Sequence, residues 1–156
     1  MKKSTIIRVA SLVLVMLTVL SLAGCGPKDK VKDSVFIFIE KANALDIQGM
    51  FDNMAVETIR EIRGNKSLEV FLSEKTDEEV IYAIVRKLVP FSVDDPAAFL
   101  KSLKVEYTAA DIRGDFAAFY GKITYEVNGQ TITKDGVVNM LRKNVSEPWR
   151  VRDFAL

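Results

Sequence analysis

Lys122-Ile123-Thr124-Tyr125-Glu126-Val127-Asn128-Gly129-Gln130-Thr131-Ile132-Thr133 is the stretch that decides the fold. Apolar and polar residues alternate on both sides of Asn128-Gly129, the period of a strand with one buried face. Asn-Gly between two such runs predicts a type I′ hairpin, because that turn needs positive φ at both central positions. Upstream, Ala117, Phe119, Ile123, Tyr125 and Val127 fall on one side of the same strand. Downstream, the third strand is expected to run from Gln130 to Lys143. Its alternation slips around Lys134-Asp135-Gly136, which predicts a bulge.

Further out, Leu103, Val105, Tyr107 and Ala109 alternate with Lys104, Glu106 and Thr108, and Arg113-Gly114-Asp115 makes a turn. After a turn at 144–148, Trp149, Val151 and Asp153 alternate with Arg150, Arg152 and Phe154. The second half of the domain thus reads as an antiparallel meander of four strands. The first half reads as helices. Val31, Val35, Phe38, Ile39, Ala42 and Leu45 recur at offsets of three and four, with Phe36 and Ile37 widening the face; Val35 to Ile39 alone, β-branched and aromatic, could form a strand, but the flanking residues favour helix. Asp46 caps a short second helix whose buried side is Ile47, Met50, Phe51 and Met54. A third, from Glu57 to Arg63, stops at Gly64-Asn65, and residues 66–75 have no clear period. Thr76 with Glu79 forms a capping box for a helix with the stripe Val80, Ile81, Ile84, Val85 and Leu88, ended by Pro90. Asp95-Pro96 starts a single turn through Phe99 or Leu100. Helices followed by strands define an α+β fold, N-terminal helices packed on a curved four-stranded antiparallel sheet.

The N-terminus carries a different signal. Met1-Lys2-Lys3 is basic, and Val9 to Ala23 runs fifteen residues without a charge. A basic start and a short apolar core describe a secretory signal, shorter than the roughly 18 residues a spanning helix uses. Leu22-Ala23-Gly24-Cys25 follows at the end of that core and holds the one cysteine of the chain. The tetrapeptide resembles the bacterial lipobox. That resemblance implies diacylglyceryl attachment at Cys25, cleavage before it, and a protein held on the extracytoplasmic face of the cell membrane by buried methylenes. The organisation read from it is a lipoprotein signal peptide at 1–24, a short polar tether at 25–30 and a folded domain at 31–156.

Composition narrows the chemistry. The chain has 156 residues, 49% apolar and 28% charged, which excludes a disordered or disulfide-scaffold protein. With no histidine and one cysteine, zinc sites, Ser-His and Cys-His pairs and internal disulfides are excluded. No metal and no cofactor is implied. The net charge of +1 includes Lys2, Lys3 and Arg8 of the leader. Without them, 19 basic face 21 acidic residues, a net of −2. Such a balance disfavours nucleic acid as a partner.

Helices, a bent antiparallel sheet, the hairpin Val127-Asn128-Gly129-Gln130-Thr131-Ile132-Thr133 and the closing Pro148-Trp149-Arg150-Val151-Arg152-Asp153-Phe154 together resemble the NTF2-like (cystatin-like, cone-shaped) superfamily, and within it the small lipoproteins of Gram-positive bacteria. The resemblance covers residues 31–156 and implies a curved sheet wrapped on a long helix, with a pocket at the open end. The superfamily holds isomerases, dehydratases, carriers and domains without catalysis, so fold alone does not select a function.

Three residues are candidates for that pocket: Tyr107 and Tyr125, on the apolar side of their strands, and Trp149. Tyr107 could donate a hydrogen bond to an oxyanion, although a strand tyrosine more often fills core area. Asp153 and Asp111 share the parity of inward residues, but each lies where solvent exposure is the simpler account. No acid–base pair emerges, so no catalytic residue is assigned. Arg113-Gly114-Asp115 is ordinary turn chemistry. Asn144-Val145-Ser146 has the form of a glycosylation acceptor, which a bacterial lipobox makes irrelevant. Asp77-Glu78-Glu79 suits a helix first turn rather than a cation. The expectation is a lipid-anchored, non-enzymatic binding or interaction domain, its partner a small apolar ligand or an envelope protein. An isomerase- or dehydratase-like enzyme using the cone is the alternative, and a structural envelope module with a filled interior is a third.

Overall fold

A computed structural model describes residues 26–156. Among these residues six helices precede a four-stranded antiparallel sheet of order β1-β2-β3-β4. The helices are α1 (Pro27–Asn43), α2 (Ile47–Asp52), α3 (Val56–Arg63), α4 (Leu68–Ser73), α5 (Asp77–Leu88) and α6 (Pro96–Ser102). The strands are β1 (Lys104–Arg113), β2 (Phe116–Val127), β3 (Gln130–Leu141) and β4 (Arg150–Ala155). The α+β class and the open, curved meander are as expected.

Local signals account for most boundaries. Gly26 precedes α1, Pro27 takes the first helical position, and Asp29 accepts the Gly26 N–H at 3.0 Å. The helix therefore begins at Pro27, and residues 27–30 are helical rather than tether. Asp46 accepts the Gly49 N–H at the start of α2, and Ser67 does the same for Val70, turning the ambiguous stretch after Gly64 into α4. Thr76 and Glu79 form the reciprocal box that opens α5. Asp95 caps α6, which continues past one turn to Ser102. It continues because Asn43 reaches from α1 to donate to the Leu100 and Leu103 carbonyls, which the helix end would leave unpaired.

One face of the sheet is packed and the other faces solvent. Ala117, Phe119, Ile123 and Tyr125 of β2, Val138 and Met140 of β3, and Val151 and Phe154 of β4 turn inward and are buried. They meet Val31, Val35, Phe38, Ile39 and Ala42 of α1 and the full stripe Val80, Ile81, Ile84, Val85 and Leu88 of α5. Each buried Val, Ile, Leu, Met or Phe among them contributes about 1.5–3 kcal/mol of transfer free energy. Phe36 widens the α1 face as expected, its ring edge-on to Phe119 at 6.3 Å although it is 38% exposed, whereas Ile37 points outward, 45% exposed. The 3.6-residue period turns Ile37 away from the sheet.

The strands depart from simple alternation at two bulges. Tyr107 opposes Gly121 while Ala109 opposes Tyr120, so Thr108 is an extra residue in β1. Inward parity therefore passes from Val105 and Tyr107 to Ala110 and Ile112, and Asp111 turns outward. Arg152 is the extra residue of β4: Asn139 opposes Asp153 while Met140 opposes Val151. Asp153, with the parity of Val151 in the sequence, consequently faces out and accepts from Asn139, while Phe154 faces in. The bulge expected at Lys134-Asp135-Gly136 is absent. The β2–β3 ladder runs unbroken from Phe116–Leu141 to Val127–Gln130. Lys134 occupies an inward position because its ammonium can sit 5.9 Å from the ring centres of both Phe91 and Tyr125, leaving its stem on apolar surface. At the hairpin tip Asn128 and Gly129 have φ of +54° and +69°, as a type I′ turn requires.

The free edge of β4 is protected by main chain. Val151 donates to Asn53 at 2.8 Å and Ala55 donates to Val151 at 2.7 Å, a short parallel bridge that blunts the edge. Thr58 Oγ1 then donates to the Arg152 carbonyl, fixing the first turn of α3 against β4.

Candidate binding groove

Anchoring α3 on the edge of β4 leaves a concavity at one end of the sheet. Arg113, Phe116, Leu141 and Arg150 form one register row across all four strands, on the face opposite Ala117 and Met140. The β1–β2 turn, the β3–β4 loop and the first turn of α3 close around this row. The resulting open groove, about 870 Å³, has Ala55, Val56, Phe116 and Leu141 as its apolar lining. Its rim carries Arg60, Arg113, Arg142, Lys143 and Arg150 against Glu57, Asp115 and Glu147.

Arg142 is structural. Its guanidinium lies 4.4 Å from the Trp149 ring centre, Nη2 donates to the Gly114 carbonyl at 2.9 Å and Nε to Asp115 at 3.2 Å. Its side chain is only 15% exposed. It holds the β1–β2 turn against the β3–β4 loop with a cation–π contact and charge-assisted bonds. Arg113 pairs with Asp111. Arg60, Lys143 and Arg150 form no ion pair among the described residues, so three cations are available to a ligand. A second groove, of about 760 Å³, lies between α3 and α5, but there Lys75 pairs with Glu79 and Lys87 with Glu61. Those pairs hold Glu79 and Glu61 below the ordinary carboxylate pKa. For Glu79 the Thr76 N–H is the larger cause and Lys75 the next; for Glu61 the cause is Lys87. Glu79 is thus a capping and pairing residue. Among the described residues no cluster of three potential metal-ligating side chains occurs.

The three sequence candidates do not meet in one pocket. Tyr125 is 2% exposed, its ring stacked 5.7 Å from Phe91 and tilted 5.4 Å from Phe99. Tyr107 is 37% exposed and lies 5.3 Å from Phe119, with the Lys32 ammonium 5.7 Å from its ring centre. Trp149 is buried beneath Arg142 at the groove end of the sheet. Tyr125 lies nine positions along β2 from Phe116, roughly 30 Å at strand rise. Side chains fill the space around Tyr125 between the sheet and the helices. Leu22, Ala23, Gly24 and Cys25 lie outside the described residues. The groove has one trace in the sequence: Phe116 and Leu141 are apolar on the polar side of their strands.

No family model, curated protein or solved structure matches this chain. Among the described residues no helix is long and apolar enough to cross a membrane.

Proposed function

We propose that this chain is a lipoprotein: cut before Cys25, anchored by a diacylglyceryl group there, and carrying an NTF2-like domain on the extracytoplasmic face of the cell membrane. The domain binds a ligand or an envelope partner without catalysis, and the sheet-end groove is its binding surface. The observation that carries this reading is Leu22-Ala23-Gly24-Cys25 at the end of an uncharged run, with a helix beginning two residues later at Pro27. Aromatic filling around Tyr125 supports binding outside the cone and weighs against the isomerase- or dehydratase-like alternative.

The test is labelling of cells with radioactive palmitate. The wild-type chain takes up label. Cys25→Ala takes up none and loses its membrane attachment while residues 31–156 stay folded. A variant band that keeps its label overturns the anchor site.

A further inference from the structure

We propose that the groove takes a small carboxylate with an apolar body, its carboxylate on Arg150 and its body along Leu141 and Phe116. This rests on the reading of the groove as the binding surface, not on the lipid anchor, and names the class of ligand that the groove takes.

Arg150 stands apart from the other arginines. It is half-buried, yet its side chain forms no hydrogen bond, ion pair or cation–π contact among the described residues. The other half-buried arginines spend their donors: Arg63 on the Gly64 and Lys66 carbonyls, Arg142 on Gly114 and Asp115. Among the described residues no sealed side-chain nitrogen or oxygen lacks a partner, so the Arg150 nitrogens stay reachable from the groove. A guanidinium presents five N–H donors in a fixed plane. Losing part of its hydration without a protein acceptor costs free energy, which an anion restores. A carboxylate answers the fork with two parallel bonds.

The floor sets the rest of the ligand. Leu141 opposes Arg150 of β4 on one side and Phe116 of β2 on the other, all three on the outer face. Two strand spacings separate Phe116 from Arg150, about 10 Å. An apolar body of that length, with its carboxylate on Arg150, covers the half-buried Leu141 and Phe116, and Val56 of α3 lies along one wall. The lining carries five bases against three acids, a net of +2 in a domain of −2, which leaves −4 on the rest of the surface. Arg60 and Lys143 add positive potential over the site and draw an anion to it. Glu57 and Glu147 on the rim are exposed and pair with none of these cations. The walls are set in advance. The Arg142 N–H donates to the Asp115 carbonyl at 3.0 Å, and Thr58 ties α3 to β4 at 2.9 Å, so a ligand meets little ordering cost.

The probe is 4-phenylbutyrate, with 4-phenylbutanol as its neutral counterpart. Isothermal titration of the full chain in neutral detergent, blanked against detergent alone, reads both. The acid is expected to bind at least about tenfold more tightly than the alcohol. High salt and Arg150→Gln each remove that preference. Arg150→Gln keeps the wild-type melting temperature, because the side chain has no partner in the fold. Arg86→Gln, exposed and outside the groove, keeps the preference. Equal affinities of acid and alcohol, both weakened by a Phe116→Ala variant of unchanged circular dichroism, overturn the ligand class and leave the groove as the binding surface. An acid that binds Arg150→Gln and Phe116→Ala as tightly as wild type sits elsewhere, which overturns groove and ligand together. Binding of neither probe overturns the proposal. So does inorganic phosphate binding as tightly as the acid, since the apolar floor would then contribute nothing.

Discussion

Gly121 and Gly136 face one another across β2 and β3 on the packed side of the sheet. A Cβ at Gly121 would collide with the Glu106 carbonyl of β1, and one at Gly136 would lie 2.9 Å from Ile123 and Leu156. The pair empties a strip of the inner face where the strands bend over the core, next to the Thr108 bulge.

Gly121→Ala is therefore expected to destabilise the domain by about 1–3 kcal/mol, the usual cost of overpacking. The obstacle is main chain, which cannot rotate away as a side-chain tip would. Urea unfolding measures it. A variant with an unchanged midpoint would show that β1 can withdraw from β2 at no cost.

The hairpin tip makes a second test. Gly129→Val places a β-branched residue at φ +69° and is expected to cost about 1–2 kcal/mol. The same turn is held by Asp94, which accepts the Asn128 N–H at 2.9 Å. Thermal melting of Gly129→Val and Asp94→Ala separates the two contributions. A wild-type melt for Gly129→Val would argue against the type I′ geometry.

At the start of α5, Thr76→Ala removes the hydroxyl that accepts the Glu79 N–H and is expected to cost about 1 kcal/mol, with Thr76→Ser near neutral. Equal losses in the two variants would mean that the cap itself contributes nothing.

Acid should act through a small set of exposed carboxylates. The Gly49 N–H and Lys41 hold Asp46 below its ordinary pKa, and the Asn128 N–H does so for Asp94; Glu61 and Glu79 are lowered as well. For a group lowered on folding, the stabilisation is complete above its unfolded pKa and disappears as pH falls through the folded one. Stability from these four groups should thus be flat from neutrality to about pH 5 and decline below about pH 4, given unfolded carboxylate values near 4. Denaturant midpoints across that range check the sign. A midpoint that rises on acidification would contradict it.

The elements readable in advance share one property: their cause is local. Asp46, Thr76 and Asp95 each announce a helix start because a short side chain bonds to an N–H three residues on. Asn128-Gly129 announces a hairpin because few residue pairs accept positive φ twice. The groove was legible only as two apolar residues, Phe116 and Leu141, on the wrong side of their strands. Tyr107, Tyr125 and Trp149 were readable as apolar-side residues but not as occupants of three separate environments.

The chain by itself determined its periods, caps and turns, the absence of histidine chemistry and the order of helices before strands, since each depends on residues within about four positions of one another. Tertiary structure alone decided where parity switches, at Thr108 and Arg152, because a bulge is set by the partner strand's register. It also decided that Ile37 faces out, that Asn53–Ala55 covers β4, and that Arg60 of a helix joins Arg113 and Arg150 of the sheet and Lys143 of the β3–β4 loop around one groove. Those outcomes rest on contacts between residues far apart in sequence, whose geometry exists only once the sheet has closed over the helices.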